Sequence, residues 1–225
     1  MAKASDLALL RGSLLFQGLS EEELRSVFEN TQPESEHFYK GDIVISQWTR
    51  DKRIGLLRKG TLISTNNDSD GEAQVLAIYK PKDVIGLELA FSREKLSSLE
   101  FSCQSNCEIV FIPFSILFAP GLTGGAKEKI LFNIAVILSD EQVKLISQME
   151  ILSKKTLEKR IMTYLNIMSE KKGTNSFDIH MNQSQLAQYL CVNRSVLSYE
   201  LNRLRGEGLI DYDKSRYTIL GQSKL

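Results

Sequence analysis

The sequence predicts an α+β protein with an antiparallel β region first, a long helix next, and a helix pair followed by a β-hairpin at the end. Short β-rich runs separated by turn residues fill much of the first half, as in a barrel or sandwich. From about Gly124 the apolar spacing becomes helical. Near the C-terminus, two short helical patterns enclose a brief turn. We therefore expect three parts, at residues 1–123, 124–152 and 153–225.

The first part is predicted to open with helical sequence and to continue with strands. Residues 20–23 have the Ser-x-x-Glu pattern of a capping box, which marks a helix start. After Pro33 the pattern changes to alternating or β-rich runs. The predicted strands are residues 37–39, 42–46, 54–57, 61–65, 74–79, 99–103 and 108–112. Strands this short and closely spaced favour a single antiparallel domain.

The second part is predicted to be one helix of about 28 residues, roughly 42 Å long at 1.5 Å per residue. Its apolar residues need a surface to cover them. They could pack on the β region of the same chain, but the helix length and its place between two domains favour contact with a second copy. The predicted contact residues are Ile130, Ile134, Ile137, Leu138, Leu145 and Met149.

Charge is distributed unevenly between the two ends of a chain whose net charge is zero. Residues 153–225 hold twelve Lys or Arg and seven Asp or Glu, a net charge of +5, so the rest is at −5. A basic C-terminal unit joined to an acidic one is typical of a nucleic-acid-binding domain attached to a domain that does not touch nucleic acid. A chance imbalance on solvated surfaces is the alternative, and charge alone does not exclude it.

The C-terminal helix pair is predicted between residues 182 and 204. Asn182 and Gln185 form a capping box, and the small Ala187 lets a second helix approach closely. After a turn at residues 191–193, Asn193 caps the second helix. The predicted buried residues of that helix are Val196, Leu197, Leu201 and Leu204. The residues predicted on its opposite face are Arg194, Ser195, Ser198, Tyr199 and Arg203.

That opposite face has the chemistry of a DNA-reading surface. Arg can bond both acceptors of a guanine edge, and hydroxyls can serve bases or phosphates. The hairpin that follows Gly208 carries basic residues within reach of the DNA backbone, where contacts add affinity without sequence information. The predicted DNA contacts are Gln183, Ser184, Gln185, Arg194, Ser195, Ser198, Tyr199, Arg203, Lys214 and Arg216. An ordinary helical hairpin is the alternative, but the small residue, short turn, polar face and basic hairpin occur together.

Other classes of protein are disfavoured by what the sequence lacks. It has no Gly-x-Ser-x-Gly, no phosphate-binding glycine loop and no His-Glu-x-x-His, so we expect no enzyme. No run approaches the ~18 apolar residues of a membrane span, and the first residues do not form a secretory signal. Three cysteines are too few for a disulfide framework. We expect a cytoplasmic protein with no membrane partner.

The sequence resembles the Crp/Fnr family of bacterial transcription factors over nearly its whole length. The resemblance is carried by residues 15–20, 40–42 and 81–86, by the long helix, and by the pattern Gln-x-x-Leu-Ala to Gly-Leu-Ile at residues 183–210. It implies a cupin-like, double-stranded β-helix (a β-roll) that senses a signal, a dimerisation helix and a winged helix-turn-helix. The implied partners are a second copy and a palindromic double-stranded DNA operator with half-sites about 34 Å apart; RNA polymerase is left open as a further partner.

One departure from the family concerns the DNA-reading helix. The family commonly has Arg at the first outer position and again five residues later. Arg194 meets the first requirement, but Tyr199 occupies the second position. We therefore expect a half-site that differs from the common one of the family.

A second departure concerns the effector. Cyclic-nucleotide-binding members hold the ribose and phosphate with a Gly-Glu-Leu turn and a following Arg-Ser or Arg-Thr. Here one residue separates Gly86 from Glu88, and no Arg directly precedes Ser97 or Ser98. A buried phosphate needs a cation or many amides, so cyclic AMP is disfavoured. These four residues remain the candidates for another small-molecule effector, and we predict no cofactor.

Metal and thiol sites are only weakly indicated. Iron–sulfur members need four thiolates and this chain has three cysteines; neither His37 nor His180 has metal-ligand spacing to another ligand. Two alternative functions stay open. One is a sensor that docks on an acidic protein, which predicts weak, salt-insensitive DNA binding. The other is a redox-responsive regulator that uses Cys103 and Cys107.

Overall fold

The structure is a computed structural model and describes residues 4–31, 33–49, 53–67, 73–93, 98–115, 122, 124–179 and 181–221. The chain forms two compact units. The first consists of Met1–Glu72 and Leu76–Gln142, and the second of Ala73–Val75 and Val143–Leu225. We call them the β-rich unit and the C-terminal unit. The α+β organisation expected from the sequence is confirmed, with a double-sheet β domain, a long helix and a C-terminal helix pair with a small sheet.

Helices at the start of the chain pack on the β-rich unit. They are α1 (Ala4–Gly12), a short 3-10 helix (Leu14–Phe16) and α2 (Glu21–Thr31). The capping box at the start of α2 is formed as predicted. The Ser20 amide donates to Oε2 of Glu23 at 2.7 Å, and the Glu23 amide donates to Oγ of Ser20 at 3.2 Å. These two bonds satisfy amides that a helix start leaves without a partner.

Among the described residues before Gly124, eight strands form two sheets. They are β1 (Glu34–Phe38), β2 (Ile43–Ile45), β3 (Arg53–Lys59), β4 (Leu62–Asn67), β5 (Ala73–Tyr79), β6 (Val84–Ile85), β7 (Leu99–Cys103) and β8 (Cys107–Pro113). One sheet has the order β1-β8-β3-β6 and the other β2-β7-β4-β5. A short helix, α3 (Leu87–Phe91), follows β6. The seven predicted strands are all present, and the two-residue β6 adds an eighth.

Two hydrophobic clusters can be distinguished among the described core residues of this unit. One cluster is built from β-strand residues such as Ile45, Leu57, Phe101 and Ile109. The other lies on the opposite face of β3 and β8 and packs these strands against α1 and α2. Gly55 of β3 is needed where side chains come closest: a Cβ there would lie 2.6 Å from Cγ1 of Ile85. A larger residue at this position would therefore require the side chain of Ile85 to shift.

The long helix α4 (Gly124–Leu152) is followed by the remaining elements of the C-terminal unit. These are α5 (Leu157–Lys172), β9 (Ser176–Asp178), α6 (Gln183–Tyr189), α7 (Arg194–Gly206), β10 (Ile210–Asp213) and β11 (Arg216–Ile219). The strands form a sheet of order β10-β11-β9. The sequence predicted only the β10–β11 hairpin; β9 adds a third strand, with Tyr217 opposite Phe177.

Candidate nucleic-acid interface

The helix pair of the C-terminal unit is built on the capping box predicted at the start of α6. The Asn182 amide donates to Oε1 of Gln185, and the Gln185 amide donates to Oδ1 of Asn182, both at 2.9 Å. Leu186 and Ala187 are buried, as their spacing indicated. Among the three residues predicted to contact DNA from α6, Ser184 is exposed, whereas Gln183 is half-buried and the side-chain oxygen of Gln185 serves the cap.

The turn between the two helices brings them together without a glycine. Cys191 has a φ of 54°, in the left-handed region that side chains other than glycine rarely adopt. The Val192 amide donates to the carbonyl of Ala187 at 3.0 Å, which closes the turn. Asn193 is the N-cap of α7 as predicted, although its side chain makes no capping bond. The first residues of α7, Arg194 and Ser195, are exposed directly after this turn.

One face of α7 is buried and anchors the helix. Leu197, Leu201 and Leu204 each have 0 % of their surface exposed. Val196 was predicted to join them, and this is wrong, because 49 % of Val196 is exposed. Successive residues of an α-helix lie about 100° apart, so Val196 points away when Leu197 points inward.

Arg194, Ser195, Tyr199 and Asn202 are exposed, and we call these four residues the outer face of α7. Val196 and Arg205 are exposed beside it. Tyr199 is 72 % exposed. Ser198 was predicted here but is half-buried on the flank of the helix. Sequence reasoning missed Asn202, although its position three residues after Tyr199 places both on one side of the helix.

Arg203 was predicted to contact DNA, but it lies in a cluster of carboxylates. Its guanidinium donates to Glu200 and Glu158 at 2.7 Å each and to Glu207 at 2.6 Å. The hydrogen bonds from Glu200 and then Glu158 raise the pKa of Arg203 above its ordinary value. Glu158 belongs to α5, so this cluster ties α5 to α7. The structure therefore gives Arg203 a structural role, and its predicted contact with DNA stays a prediction.

The β10–β11 hairpin, which we call the wing, carries two basic side chains. Lys214 is exposed at the tip of the β10–β11 hairpin, with a φ of 54°. Arg216 is exposed at the start of β11, and its Nε donates to Oγ of Ser176 at 3.3 Å. Ser215 is held by a 2.8 Å hydrogen bond from its hydroxyl to Asp178. Both cations therefore extend from a hairpin that β9 fixes in place.

Tyr212 of β10 connects the wing to the outer face. Its hydroxyl donates to Oδ1 of Asn202 at 3.1 Å. Its ring stacks on Tyr217 with centroids 5.5 Å apart, and the Arg205 guanidinium lies 5.1 Å from its centroid. The side-chain amide of Asn202, at the C-terminal end of the outer face, is thus held in one orientation.

The long helix α4 has apolar residues on two faces, one packed against the β-rich unit and one exposed. Most of the residues predicted to contact a second copy lie on the packed face. Ile130 and Ile134 are 1 % and 4 % exposed in the core of the β-rich unit, with Ile137 and Leu138 packed against it. The alternative in which they pack on the same chain is therefore correct for these four. Leu145 and Met149 are exposed, at 43 % and 71 %.

A different set of exposed residues on α4 follows the spacing of a helix–helix contact. Phe132 is 69 % exposed, Val136 42 %, and both Val143 and Ile146 58 %. Ser139 lies between the two pairs and is also exposed. The successive steps of four, three, four and three residues are those of a coiled-coil seam. We call these five residues the outer stripe of α4.

The structure describes the surroundings of three of the four candidate ligand residues of the β-rich unit. Gly86 begins α3 with a φ of 80°, and a Cβ there would lie 2.7 Å from the carbonyl oxygen of Arg53. Burial, with a contribution from Glu141, raises the pKa of Glu88 to about 6. The backbone carbonyl of Ser98 accepts a hydrogen bond from Gln47 at 2.9 Å. Ser97 lies outside the described residues.

Glu88 shares its surroundings with a second acidic residue. The carboxyl of Glu88 interacts electrostatically with that of Glu141 and with the buried phenol of Tyr79, whose pKa is raised by burial and then by Glu88. A buried phosphate needs a cation or many amides. The preference against cyclic AMP that followed from the sequence stays a prediction.

The two cysteines of the β7–β8 hairpin lie side by side. Cys103 and Cys107 are 1 % and 3 % exposed, and Sγ of Cys107 lies 3.2 Å from the carbonyl oxygen of Ser105. Burial and the hydrogen bond with Cys107 raise the pKa of Cys103 to about 12. A thiol that is protonated at neutral pH reacts slowly with oxidants, because the thiolate is the reactive form.

A double-sheet β domain followed by a long helix and a winged helix-turn-helix defines a two-part DNA-binding regulator. Residues 35–119 match the cyclic nucleotide-binding domain model, and residues 159–225 match the Crp-like helix-turn-helix domain model. The chain belongs to the Crp/Fnr family of transcription regulators. It is a DNA-binding transcription regulator and not an enzyme, and members of this family are typically dimeric.

Curated relatives resemble the chain over most of its length, and a solved structure shares its fold. The chain is 25 % identical over 207 residues to electron transport regulator A of Shewanella oneidensis, covering 88 % of this chain and 78 % of the relative. It is 24 % identical over 207 residues to regulatory protein HlyX of Actinobacillus pleuropneumoniae, covering 89 % and 83 %. The c-di-GMP-responsive global regulator CLP of Xanthomonas campestris has the same fold, with a TM-score of 0.71 at 15 % identity, covering 90 % of this chain and 100 % of that one. None of the described helices is long and apolar enough to cross a membrane.

Proposed function

We propose that the protein is a cytoplasmic homodimer that binds a palindromic DNA operator, with one α7 in the major groove of each half-site, under the control of a signal received by the β-rich unit. The observation that carries this proposal is the exposed outer face of α7, backed by three fully buried leucines. A helix fixed on one side and open on the other can enter a groove about 12 Å wide.

Base and phosphate contacts divide between the helix and the wing. Arg194 is exposed in the first turn of α7, where a guanidinium can bond both acceptors of a guanine. The helix N-terminus itself favours a phosphate, because its amides and its dipole present positive charge. Ser184 of α6 and the basic pair Lys214 and Arg216 are placed for backbone contacts, which add affinity without base preference.

Dimerisation through the outer stripe of α4 gives two copies of α7 related by two-fold symmetry. The stripe has four large apolar side chains that are 42–69 % exposed and follow coiled-coil spacing. Their exposure to water is unfavourable, and contact with the same stripe of a second copy would bury them. An isologous contact of this kind pairs the stripe with itself. Such a dimer requires half-sites about one DNA turn apart, roughly 34 Å.

The signal is proposed to be something other than cyclic AMP. No Arg directly precedes Ser97 or Ser98, which disfavours an anionic nucleotide, and the burial of the Cys103 thiol disfavours direct oxidation. A different small molecule bound by the β-rich unit remains the proposed effector. Retention of such a molecule is tested by native mass spectrometry of the purified protein.

The proposal is tested by titrating full-length protein with duplex from its own upstream region and with random duplex at several salt concentrations. We expect a preference for the upstream duplex and an affinity that falls steeply with salt. Arg194→Ala should cost about 1–3 kcal/mol on the preferred duplex and relax one base position, whereas Lys214→Ala should weaken binding to all sequences and reduce the salt slope by about 1. Equal, salt-insensitive binding to both duplexes would overturn the proposal and favour docking on a protein.

A further inference from the structure

The C-terminal end of α6 is completed by side chains from two other helices. The last carbonyls of an α-helix have no partner within the helix. The backbone amides that follow α6 serve the carbonyls of residues 186–188, whereas the next two carbonyls, those of Tyr189 and Leu190, accept from side chains. Gln148 of α4 donates to Tyr189 at 3.4 Å, and Arg160 of α5 donates to Leu190 at 3.3 Å. Gln148 therefore ties the helix-turn-helix to α4, and Arg160 ties it to α5.

Gln148 has a second acceptor, which lies in β5. Its side-chain amide carries two N–H groups, and the same nitrogen, Nε2, donates to the carbonyl of Val75 at 3.1 Å. Gln148 and Val75 are 3 % and 1 % exposed, so both are shielded from water. A buried N–H that loses its partner is unfavourable, which favours keeping both bonds together. We call this pair of hydrogen bonds, to Val75 and to Tyr189, the Gln148 bridge.

Strand β5 runs through both units of the chain. Its residues Ala73–Val75 belong to the C-terminal unit, together with α6 and Gln148, whereas residues 76–79 belong to the β-rich unit. The strand also ends the sheet order β2-β7-β4-β5. An edge strand presents backbone groups that no neighbouring strand pairs. A side chain outside the sheet can therefore bond to β5, as Gln148 does.

The Gln148 bridge makes the two ends depend on each other. A shift of β5 that breaks the bond to Val75 leaves a buried N–H of Gln148 without a partner, so the side chain has to move. The carbonyl of Tyr189 then moves with it or loses its donor. The turn at Cys191 follows two residues later and leads into α7.

We propose that Gln148 is a positioning residue that couples β5 to the DNA-reading helix, so that a signal received by the β-rich unit changes the position of α7. This inference rests on the proposed function, since it requires α7 to bind DNA. It names a route by which the signal reaches that helix, from β5 through Gln148 to the C-terminal end of α6.

The coupling can be measured without knowing the signal, because coupling between two sites is reciprocal. If β5 changes DNA binding through the Gln148 bridge, DNA binding must change the stability of β5 by the same factor. One buried hydrogen bond corresponds to roughly a fivefold change in an equilibrium constant. Amide hydrogen exchange reports such local stability. Bound DNA should therefore slow the exchange of the β5 amides about fivefold.

The experiment uses the full-length protein and a duplex that it selects from a random library. Hydrogen exchange followed by mass spectrometry compares peptides that cover residues 73–79 with and without saturating duplex. Gln148→Met removes both N–H donors with little change in side-chain size. We expect it to weaken binding to the selected duplex about fivefold and to abolish the slowing at β5. Gln148→Lys, which restores N–H donors, should recover part of that slowing.

Two control variants separate the coupling from a purely structural effect. Arg160→Met removes the bond between α5 and the carbonyl of Leu190, in which β5 takes no part. It should lower the DNA affinity but, at saturating duplex, leave the slowing at β5 unchanged. Gln142→Met makes the same change as Gln148→Met at an exposed position of α4 and should alter neither quantity.

The outcomes separate this inference from the proposed function. A library that shows no enrichment would overturn both. A selected duplex that binds without slowing the exchange of β5 in the unmodified protein would overturn the inference and leave the DNA-binding function standing. Slowing that persists in Gln148→Met, or that Arg160→Met abolishes to the same extent, would also overturn it.

Discussion

Ile146→Ala should weaken the dimer strongly, and the size of the effect follows from its exposure. Ile146 is 58 % exposed in one chain, and the substitution removes three carbon atoms. At about 0.8 kcal/mol per buried CH2, a dimer that covers the exposed part loses about 1.4 kcal/mol per protomer. Both protomers carry the change, so the loss is about 3 kcal/mol, or roughly a hundredfold in Kd.

Leu145→Ala is a control of the same size on the same helix. It also removes three carbon atoms, and Leu145 is 43 % exposed. It lies about 100° around the helix from Ile146 and therefore outside the outer stripe. We expect a change of less than fivefold in its dimer Kd. Sedimentation equilibrium over a range of protein concentrations measures both constants.

Two results would refute the assignment of the dimer surface to the outer stripe. In one, Ile146→Ala has the dimer Kd of the unmodified protein. In the other, Leu145→Ala weakens the dimer as much as Ile146→Ala does, which would favour the contact residues first expected from the sequence. Circular dichroism of each variant establishes that α4 is intact in both.

Three other substitutions or treatments test separate parts of the molecule. Glu88→Gln should raise the free energy of unfolding of the β-rich unit at pH 7.5 by about 1–2 kcal/mol, because the pKa of Glu88 is raised from 4.5 to about 6 and the buried charge is unfavourable above that pH. In thermal denaturation this gain in stability should vanish as the pH falls from 6 to 4.5. Glu128→Gln, on the exposed side of α4, is the control and should show no such gain. Asn182→Ala should cost the C-terminal unit about 1 kcal/mol of stability in urea unfolding, since it removes a formed capping box; an unchanged midpoint would contradict this. Mild peroxide should leave the DNA affinity unchanged, because burial keeps the Cys103 thiol protonated; a loss of affinity that Cys103→Ser prevents would favour the redox alternative.

Local signals in the sequence were sufficient to predict the elements that position the DNA-reading helix. The capping box at Asn182 and Gln185 marks where α6 begins, and Asn193 marks where α7 begins. These signals act within one turn of helix, so they can be read without knowing the rest of the fold. Strand β9 was missed because its three residues are too few to show an alternation.

Long-range packing determined the features that the sequence did not reveal. Apolar residues surround much of α4, so their spacing alone could not show that Ile130 and Ile134 face the chain itself while Val143 and Ile146 face outward. Arg203 has helical spacing to Glu200 and Glu207, but its third partner, Glu158, is 45 residues away. Contacts of that kind depend on how α5 and α7 come together and have no signal in the local pattern.

The most direct test of the account is a change in the spacing of the operator. Five base pairs inserted between the two selected half-sites rotate one of them by about half a turn to the opposite side of the DNA. A dimer that reads both half-sites with α7 should then lose at least a hundredfold in affinity, while ten inserted base pairs, which restore the rotation, should return part of it. Unchanged affinity after the five-base-pair insertion would contradict a symmetric dimer that reads two half-sites.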